Sequence, residues 1–258
     1  MRARMSFICI LVLLAAAAYA ATKRFEVKAD EYDPGRTHLV QGTWLEGIGC
    51  PTQARTELPN ESFTGPGGEG PAFTDPACVT GDSQDKKVEG LLLAKTGPTA
   101  NFASAFARIE NVKGEVLTEL GWDIRKPGTD LSAGPRGSHC GAGAPRWNIT
   151  ARNRATGEEG SFFIGCNSPP APAQVAGVGY VRMRWGGATP LLAFPAGANP
   201  PCAVTAAGVC NITNFEIRAL AIVFDEGYDT GPDNFGLAVL DNIDVNGVLV
   251  GRGSTDAD

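Results

Sequence analysis

Histidine is scarce in this chain of 258 residues, which contains only His38 and His139. The sequence also lacks a C-x-x-C pair, an H-E-x-x-H motif and a G-x-S-x-G motif. No zinc-binding spacing and no serine nucleophile elbow is therefore present. A Ser-His-Asp arrangement would have to use one of the two histidines, so histidine-dependent hydrolysis is disfavoured.

Basic side chains are outnumbered, with 22 Lys and Arg against 28 Asp and Glu, which gives a net charge of -6. A nucleic-acid-binding domain is expected to carry a basic excess, so this composition argues against that class. Beyond the first twenty residues no apolar run approaches the roughly 20 residues that a membrane-spanning helix needs. Hydrophobic residues make up 43% of the chain, which is enough to form a core.

The first twenty residues predict a signal peptide. Arg2 and Arg4 precede an apolar run over residues 7–18, and residues 18–20 form an A-x-A cleavage site. We expect residues 1–20 to be removed on export and residues 21–258 to form one domain, which is secreted, periplasmic or exposed at the cell surface.

Six cysteines follow the predicted leader, and an even number in an exported chain predicts disulfides. Each cysteine has one near neighbour along the chain. We therefore predict the pairs Cys50–Cys78, Cys140–Cys166 and Cys202–Cys210.

Alternation of polar and apolar residues predicts strands, and no segment shows a helical stripe with capping residues. The clearest case is the segment 116–124, in which Leu120, Trp122 and Ile124 alternate with polar or small residues. Residues 146–153 and 161–166 predict a hairpin, residues 180–185 and 215–224 predict two more strands, and residues 99–109 fit a tightly packed strand. The Asn246-Gly247 dipeptide between residues 237–245 and 248–250 predicts a type I′ turn.

These patterns predict an all-β fold, an antiparallel β-sandwich of jelly-roll type with about six to ten strands. Gly- and Pro-rich segments predict long loops over residues 51–76, 131–145, 167–174 and 186–201. The cysteines lie in or beside these loops, so we expect disulfides to tether the loops to the sheets.

Aromatic side chains on a solvent-exposed face would favour sugar binding. Trp122, Trp147 and Trp185 share parity with apolar neighbours, so we predict that they lie in the core. The opposite face of residues 180–185 carries Tyr180, Arg182 and Arg184, which could offer a ring and two cations to an acidic glycan. The alternative is that these side chains are simply solvated.

The closing segments 224–227 and 240–247 resemble the last two strands of exported bacterial β-sandwich proteins of unassigned function. They are also similar to the end of jelly-roll carbohydrate-binding modules, and residues 90–93 and 120–123 suit earlier strands of the same sandwich. The resemblance implies a non-catalytic binding module with a glycan as its partner. The exposed aromatic row that such modules use is not visible in the sequence.

Two other functions stay open at this stage. A secreted glycan hydrolase needs only two suitably spaced carboxylates, and the 28 acidic residues offer many pairs. A structural role in the cell envelope would need neither a ligand nor a catalytic pair.

A buried carboxylate is expected near the C-terminal strands. Asp241 shares the parity of the apolar residues at positions 237, 239, 243 and 245, so it should face the core unless a bulge intervenes. A carboxylate there needs hydrogen bonds or a cation. We predict a structural calcium site, the alternative being that Asp241 accepts backbone amides and the loop acids are solvated. Its ligands would be Asp225, Glu226, Asp229, Asp233 and Asp241.

Overall fold

The predicted strands are present in the computed structural model of the chain. The structure describes residues 25–50, 81–82, 84–85, 87–97, 99, 102–126, 144–166, 168, 173–175, 180–225 and 236–253. Within these residues the chain forms fourteen strands and no helix. In chain order they are β1 (Glu26–Tyr32), β2 (Val40–Leu45), β3 (Gly90–Lys95), β4 (Ser104–Glu110), β5 (Glu119–Arg125), β6 (Arg146–Arg152), β7 (Glu159–Gly165), β8 (Ala173–Val175), β9 (Val181–Gly186), β10 (Leu192–Pro195), β11 (Cys210–Asn211), β12 (Glu216–Phe224), β13 (Gly236–Val245) and β14 (Val248–Val250).

The number of described strands exceeds the predicted six to ten, because several strands are too short for alternation to reveal them. β8 has three residues and β11 has two. β8 overlaps the end of the segment 167–174, which was predicted to be a loop, so that end of the loop prediction is wrong. β10 has four residues and lies inside the segment 186–201, which was predicted to be a loop, so that part of the loop prediction is wrong.

The strands form two antiparallel sheets of seven strands each. Sheet 1 has the order β1-β4-β12-β6-β7-β10-β11, and sheet 2 has the order β2-β3-β13-β5-β9-β8, with β14 paired to β13. The chain crosses repeatedly between the sheets, as it does from β3 to β4 and from β5 to β6. This arrangement is the predicted antiparallel β-sandwich of jelly-roll type.

Three tryptophans join the sheets at the centre of the core. Trp122 of sheet 2 stacks on Trp147 of sheet 1 with ring centroids 5.3 Å apart, and Trp185 meets Trp122 edge to face at 5.0 Å. All three side chains are buried, so the prediction that they lie in the core is confirmed. Their burial sends the alternate residues of β5, β6 and β9 to the outer faces of the sandwich.

A one-residue bulge in β13 changes the expected direction of Asp241. Asp241 lies opposite Asp123 and Asp244 lies opposite Gly121, so β13 contains one residue more than β5 between these pairs. The extra residue is Asn242, which has a φ of 45°, a conformation that asparagine tolerates better than most residues. The bulge sends Ile243 and Val245 into the main core. Asp241 instead faces outward on sheet 2 with Leu237 and Val239.

The C-terminal hairpin forms as predicted. Asn246 and Gly247 have φ values of 57° and 80°, which are the left-handed conformations that a type I′ turn requires.

One predicted disulfide lies wholly within the described residues, and it is confirmed between Cys202 and Cys210. Cys50 and Cys166 are also disulfide-bonded. Their predicted partners, Cys78 and Cys140, lie outside the described residues, as do the predicted leader and His139. The described part of the chain contains no helix that is long and apolar enough to cross a membrane.

Candidate functional site

A groove crosses the outer face of sheet 1. Its volume is about 670 Å³, and its lining comes from β4, β12, β6 and β7 together with the connection between β4 and β5. These four strands are adjacent in the sheet although they are widely separated along the chain. A cavity of this size is typical of small-molecule and oligomeric-ligand sites.

Strand alternation produces the lining of the groove. Because Trp147 and Ile149 point into the core, Asn148 and Thr150 point outward into the groove. Phe162 is fully buried and Phe163 is partly exposed, so the second ring of this pair lies on the groove side. The floor is therefore made of uncharged polar groups beside an aromatic ring.

The strand register places a ring, an amide and a small residue in one row across the sheet. Phe163 lies opposite Asn148, Asn148 lies opposite Ala221, and Ala221 lies opposite Arg108. The short side chain of Ala221 leaves space beside the Asn148 amide. On the far side of Phe163 the next residue in the row is Phe194, which is 37% exposed.

A second bulge brings Arg218 to the groove. The register between β12 and β6 shifts between Ile217 and Ala219, so Arg218 is an inserted residue and faces outward together with Ala219. The β4–β5 connection closes this end of the groove. It is fastened there by two backbone hydrogen bonds with Ile217, one donated by Gly114 and one accepted by Glu115, both 2.8 Å long.

Most charged side chains at the rim are paired with opposite charges of the same chain. Arg108 contacts Asp30 at 3.2 Å, and Glu110 contacts Lys28 at 3.0 Å. Arg218 contacts Glu159 at 2.9 Å and Glu216 at 2.7 Å, and these carboxylates raise the pKa of the Arg218 guanidinium. The cationic groups of the rim are therefore largely neutralised before any ligand arrives.

The groove and its aromatic residues are not recognisable from the amino-acid sequence. The adjacent pair Phe162 and Phe163 does not reveal which ring faces the core. The alternation of residues 146–153 does place Asn148 and Thr150 on the polar face of their strand, but outward polar residues also occur on ordinary solvated strands.

The three predicted ligand-binding residues lie on the outer face of sheet 2, which residues 46–50 contact at Tyr180, Arg125 and Asp241. Tyr180 is only 1% exposed, its ring lies under the Arg125 guanidinium, and its hydroxyl donates to the carbonyl oxygen of Ile48. The structure thus places Tyr180 inside the protein. It does not form part of an open face with Arg182 and Arg184.

Arg182 and Arg184 belong to a row of ion pairs across β9, β5 and β13. Arg182 donates two 2.8 Å hydrogen bonds to the buried carboxylate of Asp123. Arg184 crosses over Gly121 and contacts Asp244 at 2.8 Å. Burial lowers the pKa of Arg184. Both arginines are thus held by carboxylates of this chain.

Asp241 is fully buried beneath the segment that follows β2. Its Oδ2 accepts a hydrogen bond from the backbone N–H of Cys50, and its Oδ1 accepts one from the backbone N–H of Asn242, both at 2.5 Å. Burial, reinforced by the nearby Asp85, raises the pKa of Asp241 well above its ordinary value. Asp241 therefore accepts hydrogen bonds from two backbone amides, as the alternative to calcium binding predicted.

The other predicted calcium ligands do not lie around Asp241 in the described residues. Asp225 follows β12 of sheet 1 and forms a bidentate pair with Arg146 at 2.6 and 2.7 Å. Glu226, Asp229 and Asp233 lie outside the described residues. No group of three or more His, Cys, Asp or Glu side chains in the described ranges is arranged to hold a metal ion. Calcium binding stays a prediction, and melting temperatures with calcium and with a chelator would test it.

Comparison with known proteins gives similarity in fold only. No protein-family model and no curated protein matches the sequence. One similar solved structure is the family 11 carbohydrate-binding module from Clostridium thermocellum in complex with a β-1,3-1,4-mixed-linked tetrasaccharide, with 9% identity, 88% of this chain and 90% of that chain covered, and a TM-score of 0.35. Another is the family 11 carbohydrate-binding module of the cellulosomal cellulase Lic26A-Cel5E of Clostridium thermocellum, with 9% identity, 91% of each chain covered, and a TM-score of 0.33. At this level of identity and superposition neither structure indicates what this chain binds.

Proposed function

We propose that this protein is a secreted or cell-surface module that binds a glycan in the sheet 1 groove without cleaving it. The observation that carries this proposal is the composition of the groove, in which the Phe163 ring lies beside the uncharged polar groups of Asn148, Thr150 and Ser161. A sugar presents both C–H faces, which pack on aromatic rings, and hydroxyl groups, which need polar partners.

The carboxylates of the groove support a non-catalytic role. Glu110 is the one acidic side chain among the described residues that line it. Hydrolysis of a glycosidic bond ordinarily uses two carboxyl groups on opposite sides of that bond. Asp244 and Glu119 form a carboxyl pair elsewhere, but Asp244 is buried on the other sheet.

Export is supported by two independent features of the chain. Residues 1–20 have the charge, the apolar run and the cleavage site of a signal peptide. Cys202 and Cys210 form a disulfide, and disulfides persist mainly in oxidising compartments outside the cytosol.

A glycan array followed by calorimetric titration tests the proposal. We expect the mature protein to bind at least one glycan and Phe163→Ala to weaken that binding about tenfold or more, because the ring supplies the stacking surface. The matched control is Phe102→Ala, which removes a ring that is 75% exposed and lies outside the groove lining. This control should bind like the unmodified protein.

Two results would contradict the proposal. One is the absence of binding to any glycan, which would favour a structural role in the envelope. The other is turnover of chromogenic glycosides by the purified protein that a single carboxylate substitution abolishes, which would identify a hydrolase.

A further inference from the structure

Charge pairing around the groove restricts the class of glycan that it can take. Arg108 and Arg218 point toward the groove, and each is already within ion-pair distance of a carboxylate of this chain. Arg146, beside the groove on β6, is bound by Asp225. A carboxylate or sulfate on a ligand would have to compete with these pairs and would meet the acidic partners as well. The rim therefore offers little net attraction to an anion.

Among the described basic residues that line the groove, Lys113 alone has no carboxylate partner in the described residues. It is exposed on the β4–β5 connection at the end of the groove. A single exposed ammonium group is well hydrated and screened by salt, so it does not make the groove an anion site.

Asn148, on the floor of the groove, has a buried polar atom without a hydrogen-bond partner in the described residues. Its Oδ1 is buried and accepts no hydrogen bond, although the residue as a whole is partly exposed to the groove. An unpaired buried acceptor costs free energy, and most such groups in folded proteins are satisfied. Because no hydrogen bond holds this oxygen, the amide can turn about its terminal torsion, which is broad and roughly twofold. Either end of the amide can then meet a ligand.

We propose that the groove selects a neutral, hydroxyl-rich glycan and that Asn148 is the specificity-determining residue. This inference rests on the proposed glycan-binding function. The Arg146 guanidinium lies over the Phe163 ring, 5.7 Å from the ring centroid, so a sugar ring packs on the part of Phe163 that stays open to the groove. One hydroxyl group of the sugar then donates a hydrogen bond to the Asn148 Oδ1. The Oδ1 has no partner in the described residues, and turning of the amide lets a ligand hydroxyl group reach it, so the interaction favours a ligand with a hydroxyl group at that position.

The first arm of the test compares polysaccharides of different charge. Neutral glucans, xylans and mannans are titrated against the mature protein alongside polymers of uronic acids, at low and high salt of roughly 0.05 and 0.5 M NaCl. We expect at least about tenfold stronger binding to a neutral polymer and an affinity that changes less than about twofold between the two salt conditions. Stronger binding to an acidic polymer, with affinity falling steeply at high salt, would overturn this inference but leave glycan binding intact. Absence of binding to every polymer would overturn the proposed function as well.

The second arm isolates Asn148 with the neutral polymer that binds best. Asn148→Ala should weaken binding about three- to tenfold, which is the range expected for one hydrogen bond. Asn211→Ala is the matched control, because Asn211 is exposed on β11 outside the groove lining, and it should bind like the unmodified protein. Unfolding curves establish that both variants are folded. Equal affinities of a folded Asn148→Ala variant and the unmodified protein would remove Asn148 from the recognition of the glycan.

Discussion

At the scale of single residues, Gly121 leaves the space through which the Arg184 side chain crosses β5 to reach Asp244. It lies between Arg184 on β9 and Asp244 on β13 in the strand register. Because glycine has no Cβ atom, the arginine side chain can cross directly over β5. Sequence alternation identified β5 as a strand, but it could not assign this role to its glycine.

We predict that Gly121→Ala destabilises the protein by about 2 kcal/mol or more. The added Cβ atom would lie 2.5 Å from the carbonyl oxygen of Met183 and would also strike the Arg184 side chain, and the carbonyl cannot move without separating β5 from β9. Gly197→Ala is the matched control, because its Cβ atom would have no atom within 4 Å. Urea denaturation measures both variants, and equal midpoints would contradict this account of Gly121.

Buried carboxyl groups predict a pH dependence of stability. Burial raises the pKa of Asp85 to about 6 and that of Asp244 to about 7, and the neighbouring Glu119 adds to the effect at Asp244, whereas Arg184 opposes it. Both pKa values exceed 3.8, the value expected in the unfolded chain. At pH values between 3.8 and about 7 the folded state therefore binds more protons than the unfolded state. The linked stability is therefore present at low pH and lost as the pH rises.

We expect the free energy of unfolding to fall as the pH is raised from about 4 to about 7. Asp244→Asn keeps the size of the side chain and cannot ionise, so it should flatten the upper part of this dependence. Urea denaturation across this pH range measures both proteins. A free energy that rises with pH, or an identical slope in the variant, would count against the stated behaviour of Asp244.

At the scale of elements, the β13–β14 turn does more than reverse the chain. The Oδ1 of Asn246 accepts hydrogen bonds from the backbone N–H groups of Thr118 and Glu119 at 2.8 and 3.3 Å. Its amide nitrogen donates to the carbonyl oxygen of Val116 at 2.9 Å. The turn residue therefore fastens the C-terminal hairpin to the start of β5. The Asn-Gly dipeptide predicted the turn, whereas these contacts depend on a segment about 130 residues away.

We predict that Asn246→Ala costs about 2–3 kcal/mol, because it removes these hydrogen bonds and places alanine at a φ of 57°. Asn246→Asp keeps the acceptor oxygens and the tolerance for this φ but loses the donor to Val116, so it should cost less. Thermal and urea denaturation of the two variants give the order. Equal losses, or a stable Asn246→Ala variant, would show that the turn is not fastened in this way.

At the scale of the whole molecule, alternation predicted the sandwich because core-facing residues repeat within each strand. The segments around Trp122, Trp147 and Trp185 were recognised in this way, and all three residues meet in the core. The groove could not be predicted in the same way. Its residues come from β4, β6, β7 and β12, and only the order of these strands in sheet 1 brings Arg108 and Phe163 to one surface.

The direction of Asp241 depended on tertiary structure in a similar manner. Its parity with Ile243 and Val245 predicted that it faces the core, but the inserted residue Asn242 breaks this parity, so Asp241 faces outward with Leu237 and Val239. Strand order likewise places Asp123 and Asp244 beside Arg182 and Arg184, so both cations are paired with carboxylates of this chain. Strand order and bulges thus decide which polar residues are available to a ligand.

Chemical-shift mapping shows where on the protein a glycan binds, and we expect it to bind across the outer face of sheet 1. The isotope-labelled mature protein is titrated with an oligosaccharide of the best-binding neutral polymer, and the backbone amide shifts are followed. We predict that the largest shifts fall on β4, β6, β7 and β12, with Asn148 and Phe163 among the strongest. Shifts concentrated on sheet 2 around Tyr180 and Arg182, or no saturable shifts on sheet 1, would contradict the claim.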